Sequence, residues 1–278
     1  MGLRRKLERL DVPHGAETPL AVATSRRDGD PLSLVSRALR HNEVLLAYQP
    51  VMNAKTAHGV AFYEGFIRVL DPTGRIIPAR DFMPKVEDTE LGREIDCAAL
   101  SLGLRALARH PNLRLSINMS ARSIGYKKWN RTLTRAFKRY PAIGERLVLE
   151  ISEASAMSVP EIVADFMDDL RRNGIAFALD DFGGGAISPR YFRQFQFDAI
   201  KIDGQFVRKV ETDPDNQALV RALIGFAREF DMLTIAESVE SEKEAIFLAH
   251  AGIDCLQGYL FGAPTVQPPW KQGDNSAG

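Results

Sequence analysis

The chain has 278 residues, of which 45% are hydrophobic and 26% are charged, and its 36 basic and 36 acidic side chains balance to a net charge of zero. This composition is typical of a soluble globular protein, and the neutral balance argues against bulk attraction to duplex nucleic acid or to anionic lipid. No apolar run approaches the ~18 residues of a membrane span, and the start of the chain lacks the apolar core of a signal peptide. We therefore expect a soluble, cytoplasmic chain whose nucleotide ligand, if it has one, is small.

The cysteines and histidines of the chain do not form a metal-binding pattern. Cys97 and Cys255 are far apart in the sequence and give neither a zinc spacing nor a disulfide framework, which indicates a reducing compartment. The five histidines show no HxxH or HExxH spacing. These observations argue against a zinc hydrolase.

Turn-forming residues and composition divide the chain into three parts. Residues 1–30 are polar and are broken by Pro13, Gly15 and Gly29, so they predict a linker or a short helix. Residues 31–265 alternate between strand-like and helix-like patterns and form one predicted domain. The composition of residues 266–278 predicts a flexible tail.

Apolar runs and helical spacing alternate along the predicted domain. Eight runs are typical of strands, in the order EVLLAYQPV, GVAFYEGFIRV, LRLSINMS, RLVLEISE, IAFALDD, DAIKIDGQF, MLTIAESVE and CLQGYLFG. Five segments with apolar residues three and four positions apart predict helices, namely 90–110, 127–140, 160–173, 215–230 and 241–252. Eight such units in ~250 residues favour an α/β fold, a TIM-like (β/α)8 barrel, over an open doubly wound sheet.

The first two strands predict one modification of this barrel. Only about five residues separate YQPVMN from HGVAFYEG, which is too short for a helical crossover, so these two strands should pair antiparallel. Alternation in the strands at 115–118, 175–180 and 199–203 places large residues toward the helices and small or polar residues toward the lumen. Glu237 shares the parity of Leu233 and Ile235, so that strand is expected to end or bulge just before it.

Polar side chains lie at or near the ends of seven of the eight predicted strands. They are Glu64, Asn118, Glu150, Asp180, Asp181, Lys201, Asp203, Glu237 and Gln257. In a barrel of mostly parallel strands, the carboxyl ends converge on one face, where barrel enzymes carry their chemistry. Six carboxylates, two amides and one lysine form an oxygen-rich site that suits Mg²⁺ or Mn²⁺. Two such ions bridged by Asp180 would also explain why two aspartates, Asp180 and Asp181, are adjacent.

Each of these residues also has an ordinary structural interpretation. A single acid at a strand end is most often solvated or caps a helix, although seven coincidences are much less expected. Lys201 could serve as a lumen ion-pair partner, and Gln257 could be an ordinary turn residue. The glycines at 183–185 are typical of a flexible turn and only weakly indicate a phosphate cradle.

The motifs resemble those of the EAL-domain cyclic di-GMP phosphodiesterases. AYQPV is similar to the first-strand motif of that family, and EGFIR stands where the family has E-A-L-x-R. INMSARSI, LEISE, DDFGGG, KIDGQFV, AESVE and QGYLFGAP follow in the family's order. The resemblance implies an enzyme that hydrolyses cyclic di-GMP to linear pGpG with two Mg²⁺ or Mn²⁺ ions per active site.

The resemblance also implies roles for individual residues. One metal would be held by Glu64, Asn118, Glu150 and Asp180, and the other by Asp180, Asp181 and Glu237. Lys201, with Glu64, Glu237 and Gln257, would act on the attacking water. Arg68, Gln49 and Gln257 would bind the substrate, with Arg68 at a phosphate. Glu153 would brace the loop after Asp181, and Asp203 and Glu240 would support the site from behind the ligands.

Three departures from the family pattern qualify these expectations. EGF replaces E-A-L, Ser238 stands in AESVE where the family has glycine, and the loop at 182–189 reads FGGGAISP. The family resemblance implies a homodimer, and a regulatory protein partner is a further expectation. A receptor that binds cyclic di-GMP without cleaving it is the alternative function, and a barrel that only binds proteins is a third.

Overall fold

Nine strands form one closed sheet in the computed structural model, which describes residues 30–56, 59–184 and 189–272. The strands are β1 Val44–Asn53, β2 Val60–Leu70, β3 Ile76–Pro78, β4 Leu115–Asn118, β5 Leu147–Ser152, β6 Ala176–Phe182, β7 Ala199–Ile202, β8 Leu233–Ala236 and β9 Cys255–Gln257. Their order is β1-β9-β8-β7-β6-β5-β4-β2-β3, and β1 also pairs with β2. Eight strands thus close a barrel, and β3 extends it beside β2, which confirms the predicted fold class.

Strand β1 is antiparallel to both of its neighbours. It pairs with β2 through register partners such as Gln49 and Glu64, and with β9 through partners such as Val51 and Gln257. The other neighbours around the barrel are parallel. The short β1–β2 connection therefore reverses the chain, as predicted, and β1 closes the barrel between its first and last parallel strands.

Helices cover the outside of the barrel among the described residues. They are Pro31–Arg40, Met83–Val86, Glu90–Arg109, Lys127–Arg139, Glu153–Ser158, Pro160–Arg171, Gly204–Val207, Pro214–Glu229, Glu242–Ala251 and Pro269–Gln272. Local signals fix several ends: Thr89 and Asp213 cap two N-termini, and Ser241 and Glu244 form a capping box. Gly252, with φ 91°, ends Glu242–Ala251. All five helices predicted from spacing are present.

The barrel separates a large outer core from a small cluster in the lumen. Phe177 and Ile200 pack in the outer core, whereas Ala178 and Ala199 lie in the inner cluster, as strand parity predicts. Strand β8 differs from the three strands covered by the parity prediction, because its large residue Ile235 belongs to the inner cluster. The small neighbouring alanines leave room for its side chain. Strand β8 ends at Ala236 as predicted, but Glu237 continues the lumen-facing parity rather than breaking it.

Residues beyond the predicted domain boundary also differ from expectation. Thr265 pairs with Tyr48, and the ring of Trp270 lies 4.8 Å from that of Tyr48 and 4.7 Å from that of His110. Trp270 therefore packs against the barrel within the segment predicted as a tail, where the structure has the helix Pro269–Gln272. The predicted linker up to residue 29, part of the loop at 185–188, and residues 273–278 lie outside the described residues. Within the described ranges, no helix is long and apolar enough to cross a membrane.

The buried Asp96 carboxylate makes stability depend on pH. Its Oδ2 accepts hydrogen bonds from Ser120 N at 3.0 Å and Ser123 Oγ at 2.6 Å, and burial raises its pKa to about 6. Because the folded state binds this proton more tightly than the unfolded state does, stability should fall as pH rises from about 4 to about 6. Relative to Asp96→Asn, the wild type should lose about 2–3 kcal/mol of unfolding free energy across this range.

Urea unfolding of both proteins between pH 4 and pH 7 measures this difference. Asp88→Asn, which replaces the carboxylate of a side chain that is 83% exposed by an amide, controls for the loss of one acidic group. Parallel pH profiles for the wild type and Asp96→Asn would contradict the assignment.

Candidate active site

Lys201 lies at the centre of the barrel's polar residues. It is on β7, points into the lumen and is 1% exposed. Its Nζ lies near one oxygen of each of four carboxylates: Glu64 Oε2 at 3.0 Å, Glu150 Oε2 at 2.7 Å, Asp180 Oδ1 at 3.0 Å and Glu237 Oε1 at 2.7 Å. We call these five side chains the lysine-centred ring.

The sheet register brings this ring together. Glu150, Asp180 and Lys201 lie on adjacent parallel strands, and Glu237 directly follows β8. Glu64 comes from β2, on the far side of β4. Carboxyl ends of parallel strands meet at one face of a barrel, so residues far apart in sequence become neighbours.

Amide side chains hold Glu64 in place. Asn118 Nδ2 donates to Glu64 Oε1 at 2.7 Å, and Gln257 Nε2 donates to Glu64 Oε2 at 2.7 Å. Gln257 Nε2 also donates to Gln49 Oε1 at 3.2 Å, and Gln49 Nε2 donates to the Gly262 carbonyl at 2.9 Å. The structure thus joins the predicted residues of β1, β2, β4 and β9 into one hydrogen-bonded network.

The ring has a buried half and an open half. The side chains of Glu64 and Glu150 are at most 1% exposed, whereas those of Asp180 and Glu237 are 17% and 20% exposed. Asp181 is exposed beside the open half. Ligand atoms of Asp180, Asp181 and Glu237 all lie within 4.8 Å of one another. The open half therefore matches the second predicted metal set.

Charge within the ring is not balanced. Burial opposes the charge on Lys201, but the surrounding carboxylates, with Asp180 foremost, raise its pKa well above the usual value. Burial and then Glu64 raise the pKa of Glu150 well above its usual range. Burial and the nearby carboxylates raise the pKa of Glu237 to about 8. The four carboxylates outnumber the one ammonium, and the raised pKa values of Glu150 and Glu237 mean that the ring favours taking up protons or other cations.

The donor atoms fit a hard cation. Glu150 Oε1 and Gln257 Oε1 are buried without a hydrogen-bond partner, and Asp180 Oδ1 meets Lys201 as an ion pair but without hydrogen-bond geometry. Burial, then Asp180 and Asp203, raise the pKa of Asp181 to about 6. Unpartnered oxygens in an acidic site without thiol or imidazole groups suit Mg²⁺ or Mn²⁺.

Two residues next to the ring have left-handed backbone conformations. Asp181 has φ 55° and Ser238 has φ 56°, a region that residues other than glycine seldom adopt. Each follows a ring carboxylate, Asp180 or Glu237. A Cβ on Gly204 would approach Ser238 Oγ to 2.4 Å, so the glycine is needed where the two segments meet. These strained conformations change the direction of the chain immediately after each ring carboxylate.

The supporting residues lie behind or beside the ring. Glu153 Oε2 accepts a hydrogen bond from Gly183 N at 3.1 Å, which ties down the chain after Asp181. Asp203 Oδ1 accepts from Gln205 N at 2.8 Å and caps the helix Gly204–Val207. Glu240 is exposed and lines the groove beside the ring rather than contacting the four carboxylates.

An open groove of about 340 Å³ leads to the ring. Its lining includes the predicted residues Gln49, Arg68, Glu237, Glu240 and Gln257, together with Phe66, Arg80, Arg208 and Tyr259, which the sequence analysis missed. Strand parity could have indicated Phe66, which lies between Glu64 and Arg68. Arg80 follows the missed strand β3, and Arg208 follows a one-turn helix, so neither had a periodic signal.

The groove is cationic where the ring is anionic. Arg68 Nη1 donates to the Ile67 carbonyl at 3.0 Å, and its guanidinium lies 5.6 Å from the centre of the Phe66 ring. Burial and then the charge of Arg80 lower the pKa of Arg68. Guanidinium groups in such a groove can bind phosphate oxygens in pairs.

The fold and the ring place the chain in the class of TIM-like α/β barrels that carry a polar site at the carboxyl ends of their strands. Sequence comparison then identifies the family. The EAL domain family matches residues 34–264, so the chain belongs to that family. This confirms the resemblance seen in the motifs.

Relatives with assigned names support this membership. The chain is 31% identical over 237 residues to the probable cyclic di-GMP phosphodiesterase PdeA of Escherichia coli, covering 84% of this chain and 32% of that protein. It is 30% identical over 234 residues to cyclic di-GMP phosphodiesterase PdeB of Shewanella oneidensis, covering 83% and 27%. The chain therefore spans about a third or less of the length of these relatives.

Solved structures of similar fold include two with bound cyclic di-GMP. The FimX EAL domain from Pseudomonas aeruginosa, bound to c-di-GMP, has a TM-score of 0.77 and 28% identity, covering 86% of this chain and 97% of that one. The PaMucR phosphodiesterase in a c-di-GMP complex has a TM-score of 0.75 and 26% identity, covering 87% and 99%.

Removing the central ammonium should destabilise the ring. Lys201→Met keeps most of the side-chain volume but leaves four buried or half-buried carboxylates without their cation. We expect a loss of ~3–5 kcal/mol in the unfolding free energy of the metal-free protein. Added Mg²⁺ or Mn²⁺ should restore part of this loss, because a divalent ion can replace the missing charge.

Urea unfolding with and without metal measures both effects. Lys55→Met is the matched control, since Lys55 is 75% exposed and pairs with Asp254 at 3.2 Å, so its loss should cost less than ~1 kcal/mol. Equal losses in the two variants would show that the ring does not depend on Lys201.

Proposed function

We propose that this EAL domain hydrolyses cyclic di-GMP to linear pGpG in the presence of Mg²⁺ or Mn²⁺. The observation that carries the proposal is the lysine-centred ring, whose open half faces a cationic groove. Phosphodiester cleavage needs oxygen ligands for cations and positive groups for phosphates, and this site offers both side by side. The names of the relatives and the ligand in two similar structures support the same substrate.

The groove offers groups suited to each part of a cyclic dinucleotide. Arg68, Arg80 and Arg208 supply guanidinium donors for its two phosphates. The exposed ring of Tyr259 and the ring of Phe66 supply flat surfaces on which a guanine base can stack. In this proposal the arginines and aromatic rings of the groove wall bind the substrate, and none of them belongs to the ring.

The four carboxylates of the ring, with the neighbouring Asp181 and Asn118, supply the metal ligands in this proposal. Asp180, Asp181 and Glu237 would hold one ion, and Glu64, Asn118, Glu150 and Asp180 would hold a second. When bound, such ions activate a water and neutralise charge on the attacked phosphate. Asp180 belongs to both sets because its carboxylate pairs with Lys201 in the ring and also lies within 4.8 Å of ligand atoms of Asp181 and Glu237.

Lys201 acts in this proposal as a fixed positive charge and hydrogen-bond donor. Its pKa is raised well above the usual value, so it stays protonated at neutral pH and cannot serve as a general base. It has three N–H donors and four carboxylate neighbours. Glu64 Oε2 and Glu150 Oε2 accept two of these donors, at 3.0 Å and 2.7 Å, and the third would be available to the attacking water if Asp180 and Glu237 bound a cation. The unpartnered Gln257 Oε1 offers an acceptor for the same water.

Incubation with cyclic di-GMP and either metal tests the reaction directly. We expect chromatography to show the formation of linear pGpG. No pGpG should form when the metal is chelated before the nucleotide is added. Calorimetric titration with cyclic di-GMP is carried out on the same preparation. Nucleotide binding without product would favour the alternative, a cyclic di-GMP receptor, and no binding would exclude both functions.

Comparing Asp180→Asn with Lys201→Met separates metal binding from chemistry. An amide at position 180 cannot offer charge to two ions, so metal affinity and turnover should fall together. Lys201→Met should retain metal and nucleotide binding but lose ~10²–10³ in rate, because it removes one preorganised positive group.

Metal titration, nucleotide titration and rate are measured on each variant after its fold has been checked with metal present. Arg68→Met serves as a third variant, which should weaken nucleotide binding while leaving metal affinity unchanged. Normal turnover by Lys201→Met, or wild-type metal affinity in Asp180→Asn, would show that the roles are assigned wrongly.

A further inference from the structure

A second cationic surface lies away from the active site, between the helices Glu90–Arg109 and Lys127–Arg139. These helices enclose a groove of about 460 Å³. Arg105 and Arg109 lie one turn apart on the first helix, and Arg135 and Arg139 lie one turn apart on the second. We call this surface the arginine groove, after these four residues.

Small side chains form the floor of the arginine groove. Its lining includes Leu104, Ala108 and Ala136, with the hydroxyls of Ser101 and Thr132 between them. The floor is thus partly apolar, which suits contact with an apolar side chain of a partner. Arginines lie on both sides of it.

The arginines of the groove lack acidic partners. Among the residues that the structure describes, no carboxylate forms an ion pair with Arg105, Arg109, Arg135 or Arg139. Like charges one helical turn apart repel each other, and arginine cannot lose its proton to relieve the repulsion. The chain as a whole is neutral, so this concentration of charge is local.

At the other end of the same helix pair, basic side chains do have acidic partners. There Arg93 pairs with Glu90 at 3.2 Å, and Lys128 pairs with Glu94. The helix Lys127–Arg139 itself has no acidic residue. Positive charge is therefore balanced within the chain at one end of the helix pair and left unbalanced at the arginine groove.

We propose that the arginine groove binds an acidic segment of a protein partner, with carboxylates one helical turn apart and an apolar side chain between them. Arginine favours this chemistry because its planar fork binds carboxylates in pairs. The spacing of the two arginine pairs matches carboxylates at positions i and i+4 of a helix, and the Ala and Leu floor accepts an apolar side chain. This proposal is independent of the proposed hydrolysis.

Other anionic partners fit the surface less well. The apolar face of the helix Lys127–Arg139 is already packed in the core through Trp129 and Leu133, so it cannot insert into a membrane. A duplex of nucleic acid is too wide to enter a groove between two packed helices. All four arginines are exposed, and they lie in pairs one turn apart on two helices, which suits a segment more than a small ion.

Fluorescence anisotropy with a labelled helical peptide tests the proposal. The peptide carries glutamates one turn apart and leucine on the same face, and a matched peptide carries glutamine instead. In about 0.15 M salt, the wild-type domain should bind the glutamate peptide at least ~10-fold more tightly than the glutamine peptide. The double variant Arg135→Glu with Arg139→Glu should lose this preference.

A charge-matched control distinguishes binding in the arginine groove from general electrostatic attraction to the domain. Lys127→Glu with Lys138→Glu makes the same change in net charge on the same helix but outside the groove lining, and should keep the preference. Thermal unfolding verifies that each variant is folded. The proposal would be overturned if both double variants lost the preference for the glutamate peptide equally. It would also be overturned if the wild type showed no preference for that peptide.

Two further probes test the other partner classes. Vesicles containing phosphatidylglycerol and a single-stranded oligonucleotide are titrated against the same variants. If either probe binds in a groove-dependent manner more tightly than the glutamate peptide, the partner is not an acidic protein segment and the proposal is wrong.

Discussion

A single ammonium surrounded by four carboxylates is the interaction on which the site depends. Lys201 can be buried only because Glu64, Glu150, Asp180 and Glu237 surround it, and they can approach one another only because it is charged. Each partner comes from a different part of the sheet. Strand register, lumen packing and side-chain orientation must therefore agree to within a hydrogen-bond length for the ring to form.

Sequence patterns predicted most of the fold because periodicity and turn signals are local. Eight strands, the antiparallel start and five long helices all follow from such patterns. Strand β3 was not predicted because a run of three residues is too short to show a strand periodicity. It forms by pairing with β2. The position of Ile235 in the lumen depends on the alanines of neighbouring strands, which no single strand reveals. Packing of Trp270 on the barrel is likewise a tertiary effect.

The five residues of the ring were predictable from the sequence, but their geometry and the groove residues Phe66, Arg80, Arg208 and Tyr259 were not. Acids at strand ends indicated which residues would meet, since parallel strands share one carboxyl face. No pattern indicated that Lys201 would contact four of them at once, or that the ring would divide into a buried and an open half. The strained residues Asp181 and Ser238 lie on the open half. The backbone conformation of these two residues therefore shapes the open half.

Closure of the barrel by β1 has a consequence for how the chain folds. Strand β1 lies near the start of the domain and β9 near its end, and the hydrogen bond between Gln257 and Gln49 joins residues 208 positions apart. Contacts so distant in sequence must wait for a costly loop to close, which slows folding. On a ribosome, the seam can form only after nearly the whole domain has emerged. Gln257 therefore joins the network around Glu64 late, and a chain truncated before β9 leaves the edge of β1 unpaired and open to aggregation.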